Sequence, residues 1–188
     1  GGRSVQLTGS SSYIETLIDV SETGFTNSFW FKTSSANAGL FSAKAGALGA
    51  SGNDRHLFLT GGNLRVRIWD TEILTTTGKN YADNVWHHVA YVYGGTMGGQ
   101  KIFVDGVQVL SGSKVSSDFH WQERICFGFS GDAATQSLPG FIDEPAVWNV
   151  ALTARDITAL AGNIVRPLYG FTAAVTDNLT CAGARSYA

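Results

Sequence analysis

Lys101-Ile102-Phe103-Val104-Asp105-Gly106-Val107-Gln108-Val109 holds two short apolar runs separated by Asp-Gly. A type I′ turn needs positive φ at both central residues, which Asp tolerates and Gly adopts freely. The stretch therefore reads as a β-hairpin. Ile102 and Val104 share one face of its first strand, and Lys101 and Phe103 share the other. The same period of two runs through Leu64-Arg65-Val66-Arg67-Ile68-Trp69. There Leu64, Val66 and Ile68 point one way, and Arg65, Arg67 and Trp69 the other. Strands are expected over 12–16, 27–33, 39–44, 56–60, 64–69, 86–93, 100–104, 107–110, 124–129 and 140–148. Gly61-Gly62-Asn63 and Gly94-Gly95 supply turn chemistry between them.

One short helix is expected near the C-terminus. Thr153 can cap it, with Asp156 three residues later as a near match to a capping box, and Ile157, Leu160 and Ala161 fall on one face. Many short strands and a single helical turn indicate an all-β, two-sheet antiparallel sandwich. Composition agrees: of 188 residues 44% are apolar, 15% charged and 23 are glycine, which excludes a disordered chain. A net charge of −2 gives no reason to expect nucleic acid. No apolar run is long enough to insert in a membrane. Residues 1–163 are expected to form one domain, and 164–188 a terminal strand and tail or linker packed on it. The opening Gly1-Gly2-Arg3 reads as a domain cut from something larger or a processed chain.

The usual catalytic and phosphate-binding motifs are missing: no Gly-x-Ser-x-Gly, no phosphate-binding glycine loop, no His-Glu-x-x-His. His87 and His88, as neighbours in a strand, point to opposite faces and cannot close on one ion. A retaining glycosidase needs two carboxylates about 5 Å apart, as Glu-x-Asp-x-Glu on a strand would give. Here Phe141 and Pro145 flank Asp143-Glu144, and those two acids point oppositely. Trp30, Trp86 and Trp148 are expected in the core. Cys126 and Cys181 allow one disulfide, with two free thiols as the alternative.

Several pieces in order resemble the laminin G-like and pentraxin-like jelly-roll domains of the concanavalin A-like lectin/glucanase group. They are Val5-Gln6-Leu7-Thr8-Gly9 with Tyr13-Ile14-Glu15, Phe29-Trp30-Phe31-Lys32 and Trp86-His87-His88-Val89-Ala90. Ile102-Phe103-Val104-Asp105-Gly106, Gly140-Phe141-Ile142-Asp143-Glu144 and Val147-Trp148-Asn149-Val150-Ala151-Leu152-Thr153 complete the set, which spans about residues 4 to 161. The resemblance implies a jelly-roll sandwich that binds carbohydrate or protein, an extracellular or cell-surface setting, and calcium. The stretches matching the calcium loops of pentraxin-like members supply Asn53, Asp54, Asp132 and Gln136. The chain departs from that pattern at Ser130, where an acid would help, and at Thr8. The plain alternative is that Asp54 and Asp132 are ordinary loop acids.

Sugar recognition wants an exposed aromatic with fixed polar groups around it. Arg65, Arg67 and Trp69 on one strand face, and His120 with Trp121 in a loop, are the candidate ligand residues. Two arginines so spaced repel unless something anionic lies between them, which points to an acidic glycan; the alternative is that they pair with Asp or Glu of a neighbouring strand and Trp69 packs under a loop. The expected function is a non-catalytic lectin-like or adhesion module whose partner is a glycan or polysaccharide. A protein-interaction module of a surface protein and a polysaccharide-cleaving enzyme on the same architecture are the alternatives.

Overall fold

The computed structural model describes residues 4–47, 52–68, 72–162, 179–182 and 185–186. The first strands are β1 (Val5–Thr8), β2 (Tyr13–Leu17), β3 (Gly24–Thr33), β4 (Gly39–Lys44) and β5 (Asn53–Thr60). Then come β6 (Asn63–Ile68), β7 (Glu72–Thr75), β8 (His87–Gly94), β9 (Lys101–Val104) and β10 (Val107–Ser111). β11 (Arg124–Phe127), β12 (Pro139–Trp148), the helix α1 (Ala154–Ala161), β13 (Leu179–Ala182) and β14 (Arg185–Ser186) follow.

Among the described residues the strands form two sheets, one ordered β10-β9-β8-β3-β12-β1-β14 and the other β13-β2-β11-β4-β5-β6-β7. Neighbours pair antiparallel, and β3 lies between β8 and β12, both far away in sequence. This is the jelly-roll sandwich expected from the sequence. The hairpin that opened the reading is β9–β10, with Val104 opposite Val107 and φ of +51° and +80° at Asp105 and Gly106.

Alternation places Leu7, Phe25, Phe29, Phe31, Phe41, Leu57, Val66, Tyr91, Phe127 and Ile142 between the sheets, all almost fully buried. Each such side chain contributes roughly 1.5–3 kcal/mol relative to exposure. Phe127 meets both Phe29 and Phe41 edge-on, at 5.3 Å between ring centres. A second, smaller cluster lies on the outside of the first sheet, where Ile157 of α1 and Leu152 cover Ala90, Val92 and Phe103. The expected capping box forms: Asp156 N donates to Thr153 Oγ1, and Thr153 N donates to Asp156 Oδ2.

Three expectations are corrected. Trp30, Trp86 and Trp148 are half-buried and not core. Trp30 lies between Phe29 and Phe31, which face inward, so it faces out and meets the His88 ring at 5.4 Å. The Cys126–Cys181 bridge does not form, and Cys126 is a buried free thiol. Its strand β11 and Cys181's strand β13 flank β2 on opposite sides. Two strand spacings amount to about 9.5 Å, beyond the ~7 Å limit between bridged Cα atoms. Finally, β7 had no signal in the sequence.

β7 closes one flank of the sandwich through Glu72. Its carboxylate accepts hydrogen bonds from Gln100 Nε2, Ser113 N (2.7 Å), Ser113 Oγ (3.0 Å) and Lys114 N (3.1 Å). Gln100 in turn accepts from Tyr91 Oη. Partial burial pushes the Glu72 carboxyl up, but these donors together outweigh it and hold it below the ordinary carboxylate range. A depressed folded-state pKa gives stability that is present above the unfolded value and lost as pH falls through the folded one. Melting temperature should therefore fall as pH drops below about 4, and Glu72→Gln should flatten that fall. An unchanged slope in the variant would remove Glu72 from the acid response.

Candidate functional site

The outer face of the second sheet carries the polar side chains. The registers Lys44↔Arg124, Lys44↔Asn53, His56↔Arg67 and Phe58↔Arg65 line these residues up across four strands. The chain between β11 and β12 folds back over this face. Ser130 N donates to Gln136 O at 2.9 Å, Gly39 N donates to Thr135 O at 2.9 Å, and Ser42 Oγ donates to Phe129 O at 3.3 Å. The fold-back sets Ser130 and Asp132 against β5 and β6.

Asp132 is gripped by Arg67 in a fork. Arg67 Nε donates to Oδ2, and Nη2 donates to Oδ1 at 2.9 Å. Partial burial pushes the Asp132 carboxyl up, but the Arg67 hydrogen bond and the His56, Arg67 and Arg65 charges carry it below its ordinary value. His56 is buried, with Nδ1 2.9 Å from Ser130 Oγ and Nε2 3.5 Å from Asp132 Oδ1. Burial lowers its pKa, against the pull of Asp132. Ser130, His56 and Asp132 thus form a chain of the types found in hydrolytic triads, but turned inside out. The hydroxyl is fully buried and the carboxylate is the solvent-facing member. A substrate carbonyl has no route to that hydroxyl, so the chain orients Asp132 rather than activating a nucleophile.

Lys44 is buried on the same face, its Nζ donating to Asn53 Oδ1 at 3.0 Å and standing 5.1 Å from the centre of the Phe129 ring. Burial lowers its pKa. Arg65 is half-buried, its guanidinium 6.0 Å from the centre of the Phe58 ring. Arg124 is shared by Glu15 (2.9 Å) and Glu123 (3.0 Å). Among the described residues, neither Lys44 nor Arg65 forms a close ion pair; Glu15 acts on Lys44, and Arg65 on Asp132, only at longer range.

Arg65 and Arg67 therefore lie on one exposed face, as their alternation predicts. Trp69 lies outside the described residues. Trp121 is 55% exposed and packs edge-on against His120 (4.7 Å) and Phe119 (4.8 Å). Phe119 lies against Gly52, so the Trp121–His120 pair rises beside the turn between β4 and β5. Lys44, His56 and Ser130 were not anticipated. Lys44 was legible in principle, since Phe41 and Ala43 face the core and Lys44 alternates with them.

A family model described as the concanavalin A-like lectin/glucanases superfamily matches residues 7–158. The chain belongs to that superfamily. No curated protein matches the sequence. A heptameric pentraxin of Limulus polyphemus has a similar structure at 15% identity and TM-score 0.72, covering 98% of this chain and 94% of that one. The Ruminococcus gnavus IT-sialidase CBM40 bound to alpha2,3 sialyllactose is similar at 22% identity and TM-score 0.58, covering 76% and 84%. The botulinum neurotoxin serotype D binding domain is similar at 17% identity and TM-score 0.57, with 82% of this chain matching 42% of that one.

The superfamily includes glucanases, but the paired-acid geometry of such enzymes is missing from β12. Asp143 Oδ1 accepts from Glu144 N at 2.9 Å, and the register slips between Asp143 and Ala146 with φ of +49° at Glu144. Nor do Asn53, Asp54, Asp132 and Gln136 fit the calcium site that the resemblance implied. Asn53 lies outside and Asp54 inside the sheet, fully buried, where Ser117 Oγ donates to its Oδ2. Neighbouring residues in a strand face opposite ways, which separates the two intended ligands. The Gln136 amide donates its Nε2 to Gly131 O at 3.2 Å.

Proposed function

We propose that this chain is a non-catalytic carbohydrate-binding module of an extracellular or cell-surface protein, and that it takes an acidic glycan on the outer face of its second sheet. The observation that carries the proposal is Arg65: a half-buried guanidinium beside the Phe58 ring, on a face whose other arginines already hold carboxylates. A planar fork of donors beside a ring suits a sugar carboxylate or sulfate. The solved relative bound to alpha2,3 sialyllactose supports this, since that ligand is acidic. Trp121, exposed at the loop next to β5, is the candidate stacking residue of a second contact.

The test is a glycan array carrying sialylated, uronate, sulfated and neutral chains. Acidic glycans should bind, and Arg65→Ala should weaken them roughly 10- to 100-fold, the worth of a hydrogen-bonded charge contact. Melting temperature should stay within about 2 °C, because surface substitutions cost at most about 0.5 kcal/mol. Binding confined to neutral glycans would contradict the acidic reading. A silent array together with capture of a protein partner would favour the protein-interaction alternative.

A further inference from the structure

We infer that the outer face of the second sheet carries its cations in the chain itself, Lys44 and Arg67 holding oxygens that a divalent ion would need, so that this face binds its ligand without metal. The chemistry of the donor set points this way. A calcium ion takes six to eight oxygens and normally two or more carboxylates. Asp132 has both oxygens engaged by the Arg67 fork. Asn53 Oδ1 is held by the buried Lys44 ammonium at 3.0 Å. Asp54, the second carboxylate, is on the other side of the sheet with Ser117 and Arg55. Gly131 brings the β11–β12 loop against the Asn53 amide, which Lys44 holds from β4, while Arg67 holds Asp132 of the same loop from β6, on the far side of β5.

Charge makes the same point. A divalent ion among these oxygens would lie close to a guanidinium and an ammonium. Asp132, the one acid of the loop, is already held by Arg67. Two fixed monovalent cations stand in for one exchangeable divalent cation: Arg67 neutralises and orients Asp132, and Lys44 holds the Asn53 oxygen. The difference is that they cannot be removed by a chelator.

This inference takes its ligand from the proposal above, but its first test does not. Calcium chloride and magnesium chloride are titrated into the protein by calorimetry to about 10 mM, well beyond the weakest protein calcium sites, with melting temperature read in parallel. No saturable heat and an unchanged melting temperature are expected. Saturable binding of either ion, or a melting temperature that rises with calcium, would overturn the inference whatever the glycan result. The second test runs the array in calcium and in chelator, where each bound glycan should keep the same affinity within about twofold. Binding that appears only with calcium would overturn the inference and leave the glycan proposal standing. An array silent in both buffers would sink the glycan proposal, and the calorimetry would still decide the metal question.

Discussion

Replacing Arg55 by Met should lower stability by about 3–5 kcal/mol, the range for stripping one partner from a buried charge pair. Arg55 is the largest fully buried side chain among the described residues. Its Nη1 donates to Val20 O (3.3 Å) and Gln122 Oε1 (3.2 Å), and its Nη2 donates to Glu22 Oε1 (3.4 Å). Its Nε stands 3.9 Å from Asp54 Oδ2, and its plane lies 5.9 Å from the Phe25 and Tyr93 rings. Methionine fills much of the space but removes the positive charge beside the buried Asp54. At about 2–4 °C per kcal/mol for a chain of this size, melting temperature should fall by roughly 10 °C. Adding Asp54→Asn should recover part of the loss, because the buried negative charge goes with it. A drop of less than about 2 °C in the single variant would mean that the buried cation contributes little.

The second large effect is expected at Gly39. A Cβ built there would lie 2.1 Å from Gln136 O, 2.2 Å from Ser130 N and 2.8 Å from Phe129 C. These are backbone atoms of the fold-back over the second sheet, and no rotamer change can relieve them. Overpacking of this kind costs about 1–3 kcal/mol and sometimes more. The strain is released most directly by lifting the β11–β12 loop, which carries Ser130 and Asp132 away from His56 and Arg67. Gly39→Ala should therefore lose both stability and glycan binding, with the binding loss persisting at temperatures where the variant is fully folded. Gly95→Ala, where an added Cβ meets nothing within 4 Å, serves as the control and should leave both unchanged. Retained binding by Gly39→Ala would show that the loop does not position the site.

What could be read from the sequence was what local chemistry decides. Asp105-Gly106 specifies its turn unaided, and Thr153 with Asp156 specifies a helix start. The alternation of Leu64, Val66 and Ile68 assigns Arg65 and Arg67 to the outer face without knowledge of their neighbours. The family resemblance of its strand puts Trp30 in the core, although Phe29 and Phe31 on either side claim the inward direction. Asp54 was misplaced for a different reason. The register slips between Phe41 and Ala43, and Arg55 takes a φ of +53°, so Asp54 and Arg55 both end up inside. Nothing in Gly52-Asn53-Asp54-Arg55-His56 announces that bulge. Its cause is the distant Ser117, Gln122 and Glu22, which receive the two charged side chains. The candidate site depends on the same long-range arrangement, because His56 meets Ser130 and Arg67 meets Asp132 across 74 and 65 residues of chain.

That irregularity at Arg55 acts as a phase shifter between two halves of one strand. Straightening the strand there with every residue kept would put the imidazole of His56 indoors and push Leu57 out to solvent, dismantling hydrophobic packing and recognition surface in one step. A one-residue length change elsewhere in β5 should thus be far less tolerated than one at Arg55 itself, and alignments that slide a gap along the strand will pair residues with opposite roles.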